Sequence, residues 1–253
     1  MSVVELHQVT VTYHTPSGET RAVEDLSLRV EGGEFVSVVG PSGCGKSTLL
    51  SLIAGLIRPD AGEVRVGGVP VRGPHPAVGY MLQQDHLFDW RTVLDNCLLG
   101  LEVQGRRTRP AVARVRRLLD EYGLGEFAHR FPAQLSGGMR QRAALVRTLA
   151  TDPQVLLLDE PFSALDYQTR LKLEDEMSQI LRRQRRTVVM VTHDIAEAVS
   201  MADRVIVLTR RPARVKREYV IDLRPRGSPL QVRESPEFSR YFRDIWRDLD
   251  VHI

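Results

Sequence analysis

The chain of 253 residues is short of several things at once, and each shortage removes a class of protein. Its two cysteines, Cys44 and Cys97, offer neither a disulfide framework nor a zinc-ligand spacing, which excludes the stapled secreted domains and suits a reducing cytosol. No apolar stretch approaches the roughly 20 residues needed to cross a bilayer. The opening residues MSVVELHQV lack the basic and then apolar segments of a signal peptide, so the chain is expected to be soluble. Internal repeats, low-complexity tracts and heptad runs of coiled-coil length are missing too. What remains is 42% apolar and 26% charged, enough to bury one large core or two modest lobes. The net charge of +3 comes from arginine clusters at 106–109, 182–186 and 210–217, which read as solvated faces and loops. Nucleic acid or anionic lipid is the other reading of those clusters.

Against that background the stretch GPSGCGKST, residues 40–48, stands out, because it places three glycines between the apolar run Phe35–Val39 and the helix-like LLSLIAGL. Gly40, then four residues, then Gly45-Lys46-Ser47 is the spacing of a phosphate-binding loop, and that motif requires a strand before it and a helix after it. Glycine leaves backbone N–H groups free to wrap a polyphosphate. The helix beginning near Lys46 points its positive end at the same anion, Lys46 adds a mobile charge on the β- and γ-phosphates, and Ser47 is placed to ligate Mg²⁺.

Alternating residues in VTVTY (9–13) and LSLRV (26–30), separated by HTPSGET, read as antiparallel strands with one solvated face, and EVRVGGVPV carries further strand signal. Continuous apolar runs at Phe35–Val39, Val155–Leu158, Thr187–Val191 and Val205–Leu208 suit parallel strands buried on both faces. Between them, Tyr167–Arg185 reads as a helix with Leu173, Met177, Ile180 and Leu181 on its core stripe. The arginine-rich segment from about 84 to 135 reads as a helical insertion, between a strand ending near Gln83 and a helix after Leu135. Residues Arg210 to Ile253 read as a peripheral extension.

The run VLLLDE ends an apolar strand in two carboxylates. Asp159 can then hold Mg²⁺ through its coordination shell, and Glu160 can accept a proton from an attacking water. A carboxylate pair at a strand end is also a common surface feature; its pairing with the phosphate loop decides for chemistry.

Two further stretches, LSGGMRQR (135–142) and VTHD (191–194), complete a set of motifs that resembles the ATP-binding cassette ATPases of membrane transporters, in the expected order over nearly the whole length. The resemblance implies an α/β fold: a phosphate-loop NTPase core with a mainly parallel sheet, an N-terminal antiparallel β subdomain and the helical insertion. It implies that Gly40, Pro41, Ser42, Gly43, Cys44, Gly45, Lys46, Ser47 and Thr48 bind ATP, with Tyr13 stacking on adenine. It implies that Ser136, Gly137 and Gly138 bind the γ-phosphate of ATP held by a second copy of the chain, and that Asp166 lies in the loop crossing that dimer interface. Gln83, rather than neighbouring Gln84, would join Mg²⁺ and water to the insertion. His193 would contact the γ-phosphate and orient the water, beside Glu160 as base and Ser47, Gln83 and Asp159 around the metal.

Within that family GPSGCGKSTLL, DWRTVLDN and FSALDYQTRLKLEDE look most like the nitrate, sulfonate and taurine importer branch. Asp89 stands before Trp90 where that branch usually has proline. The expectation is an ATPase subunit peripheral to the cytoplasmic face of the membrane, partnered by permease subunits and indirectly by an extracytoplasmic solute-binding protein, with no nucleic acid. Phe88 and Trp90 would line the permease-docking groove. A soluble ATPase of the same superfamily acting on nucleic acid or ribosomes is the alternative; it calls for a long coiled coil or a second cassette. Residues 1–225 are expected to form the ATPase domain and 226–253 a C-terminal extension.

Overall fold

The computed structural model describes residues 2–16, 18–223 and 228–249, so the expected boundary between 225 and 226 lies outside the described residues. Two long strands, β1 (Ser2–Thr15) and β2 (Gly18–Glu31), pair antiparallel, and β4 (Ala61–Val66) and β5 (Val69–Pro70) complete a four-stranded sheet in the order β2-β1-β4-β5. The second sheet has six strands in the order β10-β9-β3-β8-β7-β6. Here β3 (Phe35–Val39), β6 (Val78–Met81), β7 (Val155–Asp159), β8 (Thr187–Thr192) and β9 (Arg204–Leu208) run parallel, and β10 (Val215–Val220) closes the edge antiparallel to β9.

The unbroken apolar runs follow from burial on both faces of this sheet. Alternate residues divide between two cores: Leu156, Leu158, Val188 and Met190 face one, while Val155, Leu157, Val189 and Val191 face the other. The second core lies between the two sheets and takes in Leu49, Leu50 and Ile53 of α1 (Lys46–Ala54), all fully buried. Each such side chain contributes about 1.5–3 kcal/mol by leaving water. Helix α1 is thereby fixed directly under the loop that precedes it.

The first core is roofed by helices. Of these, α2 (Val93–Val103) and α3 (Arg109–Glu121) form the expected insertion, both started by threonine caps at Thr92 and Thr108, and they pack on α4 (Gly137–Leu149). Helix α5 (Tyr167–Arg183) buries Leu173, Met177, Ile180 and Leu181 as its spacing predicts, and α6 (Ile195–Met201) follows β8. The C-terminal stretch is less peripheral than its composition suggests. Strand β10 joins the main sheet, and Val232 of α7 (Pro229–Val232) and Ile245 of α8 (Pro236–Asp248) enter the core, where α8 packs on α6. Its arginines and aromatics are spread over the turn after β9, strand β10 and α8, while Val232 and Ile245 are among the residues it buries. No helix among the described residues is long and apolar enough to cross a membrane.

Candidate functional site

Strand order brings the site together. In the sequence β3-β8-β7-β6 four parallel neighbours end on the same side, and the segments that follow them carry the loop at 40–45, His193, Glu160 and Gln83. Open α/β sheets hold ligands at these carboxyl ends.

The loop leaves β3 and turns into α1 at Gly45, whose φ of 124° lies in the left-handed region; a Cβ there would stand 2.9 Å from the Ala22 carbonyl oxygen. No side chain caps α1 and its first turn carries no acid, so its leading N–H groups and dipole face an open cavity of ≈ 430 Å³. Tyr13, Thr20, Ser42, Lys46, Ser47 and Thr48 line that cavity, together with Glu160 and the exposed Arg211. Lys46 is buried, and its ammonium donates to the carbonyls of Gly40 (2.8 Å) and Pro41 (3.1 Å). A buried cation resting on neutral carbonyls, beside an uncapped helix start, fits a polyphosphate. The Tyr13 hydroxyl lies 3.2 Å from that of Thr48, with the Tyr13 ring half-exposed at the mouth.

The carboxylates sit opposite. Asp159 accepts from Ser47 Oγ (3.4 Å) and from Tyr80 Oη (3.1 Å). Burial raises its pKa above the ordinary value, against the lowering effect of those two hydrogen bonds. Ser47 and Asp159 thus share one spot with a single carboxylate; among the described residues no three His, Cys, Asp or Glu are grouped so as to hold a metal ion. That donor set fits Mg²⁺, which takes one or two carboxylates and phosphate oxygens, and does not fit zinc.

Glu160 accepts from Gln83 Nε2 at 3.2 Å, and its other close neighbour is His193 Nδ1 at 3.1 Å from the same carboxylate oxygen. The residue is held at a φ of 44°, with its N–H donating to the Val191 carbonyl (2.9 Å) and its own carbonyl accepting from Ser163 Oγ (3.0 Å). A non-glycine residue held there by neighbouring elements is a strained backbone aimed at one spot.

The remaining predicted residues lie elsewhere. Ser136, Gly137, Gly138 and Asp166 do not line the cavity around Lys46. Ser136 caps α4 by accepting from the Met139 N–H (3.3 Å), and both Ser136 and Gly137 are exposed. Gly138 faces α5 so closely that a Cβ would stand 2.8 Å from Thr169 Cγ2. Asp166 caps α5 by accepting from the Thr169 N–H (3.0 Å), and hydrogen bonding from the Thr169 side chain, then from that N–H, holds its carboxyl below the usual range. A side-chain strap joins this second place to the first: Arg140 pairs with Asp85 (3.2 Å), and Arg147 donates to the His86 carbonyl (2.7 Å), so α4 grips the loop behind Gln83.

Three contributors escape sequence reasoning. Tyr80 supports Asp159, Asn96 holds the loop at 88–92, and Arg211 reaches Gly43. Arg211 carried a signal as a member of the cluster at 210–217, and Asn96 as the last residue of DWRTVLDN; Tyr80 carried none.

Comparison with known proteins identifies the family and the fold. The family model described as ABC transporter matches residues 23–163. An uncharacterized ABC transporter ATP-binding protein, YtlC of Bacillus subtilis, is 44% identical over 99% of this chain and 96% of its own length. The nitrate import ATP-binding protein NrtD of Synechocystis is 42% identical (90% of this chain, 88% of that one), and the taurine import ATP-binding protein TauB of Ruegeria pomeroyi 37% (95% and 90%). Among solved structures, a dimeric post-hydrolysis state of the ATP-binding cassette MJ0796 bound to ADP and Pi superposes with a TM-score of 0.73 at 32% identity, covering 87% of this chain and 99% of that one.

Proposed function

The chain belongs to the ABC transporter family and is an ATPase, and on that premise we propose that it is the motor subunit of an importer for a small anion such as nitrate, a sulfonate or taurine. The proposal rests on one observation above all. The loop that begins with Gln83, a hydrogen-bond partner of Glu160, continues within a few residues to an aromatic pair stacked 4.8 Å apart, the half-buried Phe88 and Trp90, which is 74% exposed. A large aromatic left in water next to the reaction centre is what a membrane partner would grip, and such anchors often dominate binding energy. The import names of NrtD and TauB support the same reading.

In this mechanism the loop from Gly40 to Thr48 and the start of α1 bind the triphosphate, Lys46 neutralises its terminal charge, and Tyr13 carries the adenine. Ser47, Asp159 and Gln83 would hold Mg²⁺. The ion, when bound, offsets charge on the β- and γ-phosphate oxygens. Glu160 accepts the proton of the attacking water, and His193, in contact with the same carboxylate, orients it. Ser136, Gly137 and Gly138, turned away from the chain's own cavity, serve the nucleotide of a second copy, with Asp166 in the interface loop. Binding energy then favours the closed pair over the open one, and that difference is what can move a permease. Residues 1–225 constitute the ATPase domain and 226–253 an extension that braces it, at the cytoplasmic face of the membrane, with an extracytoplasmic binding protein selecting the solute.

The decisive experiment is growth of a deletion strain on nitrate, taurine or alkanesulfonates as sole nitrogen or sulfur source. Loss of growth on one of these, restored by the gene and not by its Glu160→Gln form, is expected. Unimpaired growth on all of them overturns the branch. Replacing Phe88 and Trp90 together with alanine should release the chain from membranes while sparing basal ATPase, and wild-type retention would remove the docking role.

A further inference from the structure

The arginine cluster at 210–217 contains one exposed residue, Arg211, that is tied to the phosphate loop. After β9 the chain makes a tight turn closed by three hydrogen bonds: Thr209 N–H to the Arg214 carbonyl, Thr209 Oγ1 to the Pro212 carbonyl, and Arg214 N–H to Thr209 Oγ1, each 3.0 Å. The turn is pinned to β2 on both sides of the fully buried Ala213, whose N–H donates to the Ala22 carbonyl (2.9 Å) and whose carbonyl accepts from Glu24 (3.1 Å). Arg214 adds an ion pair to Glu24 at 2.7 Å. At the tip Arg211 extends over the phosphate loop, and both Nε (3.0 Å) and Nη2 (2.8 Å) donate to the single carbonyl oxygen of Gly43.

That geometry leaves a fork in place with little to hold. Guanidinium has five N–H donors and a charge that never titrates in proteins, and its planar fork matches phosphate oxygens two at a time. Here two of those donors share one neutral acceptor, and among the described residues no carboxylate pairs with Arg211. Lys46 is in the same condition on the inner side of the loop, resting on the carbonyls of Gly40 and Pro41. Two cations, one buried and one at the cavity mouth, therefore flank the loop with backbone carbonyls as their partners.

We propose that Arg211 is a second phosphate-binding cation of the nucleotide site, gripping the polyphosphate chain from the outer side of the loop while Lys46 grips it from within. The proposal rests on the ATP site described above and assigns to it a residue far along the chain. It has a rival: a brace that only shapes the loop through Gly43.

Calorimetric binding of MgATP, MgADP and AMP to the full chain, with Glu160→Gln in the background of every variant to block hydrolysis, tests it. Arg211→Ala and Arg211→Gln should each weaken MgATP and MgADP by about ten-fold, the loss expected for one charge-assisted contact. AMP should change little, and Arg211→Lys should recover part of the loss. The deficit should shrink as salt is raised. Equal weakening of all three nucleotides, or full affinity in Arg211→Gln, means a brace and overturns the proposal. So does unchanged affinity in all variants while the parent binds. A parent that binds no MgATP would instead overturn the site itself, and this proposal with it. Thermal melting without nucleotide checks the fold; should Arg211→Ala fail it, Arg211→Gln, which keeps a donor for Gly43 but no charge, carries the comparison against Arg211→Lys.

Discussion

Asn96 and Phe88 exchange a reciprocal pair of hydrogen bonds: the Phe88 N–H donates to Asn96 Oδ1 at 2.7 Å, and Asn96 Nδ2 donates back to the Phe88 carbonyl at 3.1 Å. The same amide nitrogen also reaches the carbonyls of Arg91 (3.1 Å) and Thr92 (3.0 Å), and the side chain is fully buried. One asparagine thus ties both ends of the segment that displays Phe88 and Trp90 to the first turn of α2. The surface aromatics are presented by a buried polar clamp.

Asn96→Ala should therefore cost about 1–3 kcal/mol in urea denaturation, the penalty of leaving buried backbone groups unpaired. Asn96→Asp should be no better, because it turns a carboxylate toward three carbonyl oxygens. Both variants should lose membrane retention in step with the Phe88 and Trp90 double variant. Retention at the wild-type level in a destabilised Asn96→Ala would separate the clamp from docking.

Glu160→Gln should lower ATP turnover by at least about 10²-fold while nucleotide binding persists, since the amide keeps the bonds' shape and cannot take the proton. Lys46→Ala should fail earlier, at binding, because the lost ammonium is the buried cation of the loop. Steady-state turnover beside equilibrium binding distinguishes the two. Parent-like turnover in Glu160→Gln would remove that carboxylate from the chemistry.

Glu174 and Glu197 make stability depend on pH in an unusual direction. Burial raises Glu174 to about 8, against the pull of Arg233, and Glu197 to about 7, where it accepts from Thr192 Oγ1 at 2.6 Å. Raised carboxyls keep protons that the unfolded chain has released, so their contribution is fully present below the ordinary carboxyl pKa and is lost as pH rises through these values. Unfolding free energy should fall from the ordinary carboxyl value of 4.5 up to about pH 8, by up to about 1.4 kcal/mol per unit for each group still protonated. The double variant Glu174→Gln, Glu197→Gln should flatten that slope relative to wild type. Identical pH profiles would refute the assignment. Arg233→Ala should steepen it, by leaving Glu174 without its cation.

The shared site is open to a complementation test. Lys46→Ala and Ser136→Arg chains, each inactive alone, should regain ATP occlusion when forced into one mixed dimer carrying Glu160→Gln on both chains. One interface then collects both lesions, and the other pairs an intact Lys46 with an intact Ser136. A verified mixed dimer that occludes nothing, beside an intact control that does, would count against the sandwich.

Much of this protein was legible without coordinates because the informative signals are local. A phosphate loop needs its strand, glycines, lysine and helix within a dozen residues, and a strand buried on both faces must be apolar throughout, so Gly40–Thr48, VLLLDE and the four buried strands announced themselves. The helix caps at Ser136 and Asp166 are local too, each bonding an N–H three residues on, but reading the sequence assigns those residues other roles and the structure shows the caps. What only the tertiary structure decided is every relationship that strand order creates. That Gln83, already chosen over Gln84 by resemblance, meets Glu160, 77 positions on, depends on β6 lying beside β7. That Tyr80 supports Asp159 depends on the same neighbours, and that Arg211 reaches Gly43 across 168 positions depends on β9 lying beside β3. Periodicity fixes which face of a strand a side chain takes; it says nothing of which strand will be next to it, and the groups around this cavity were joined by that second choice.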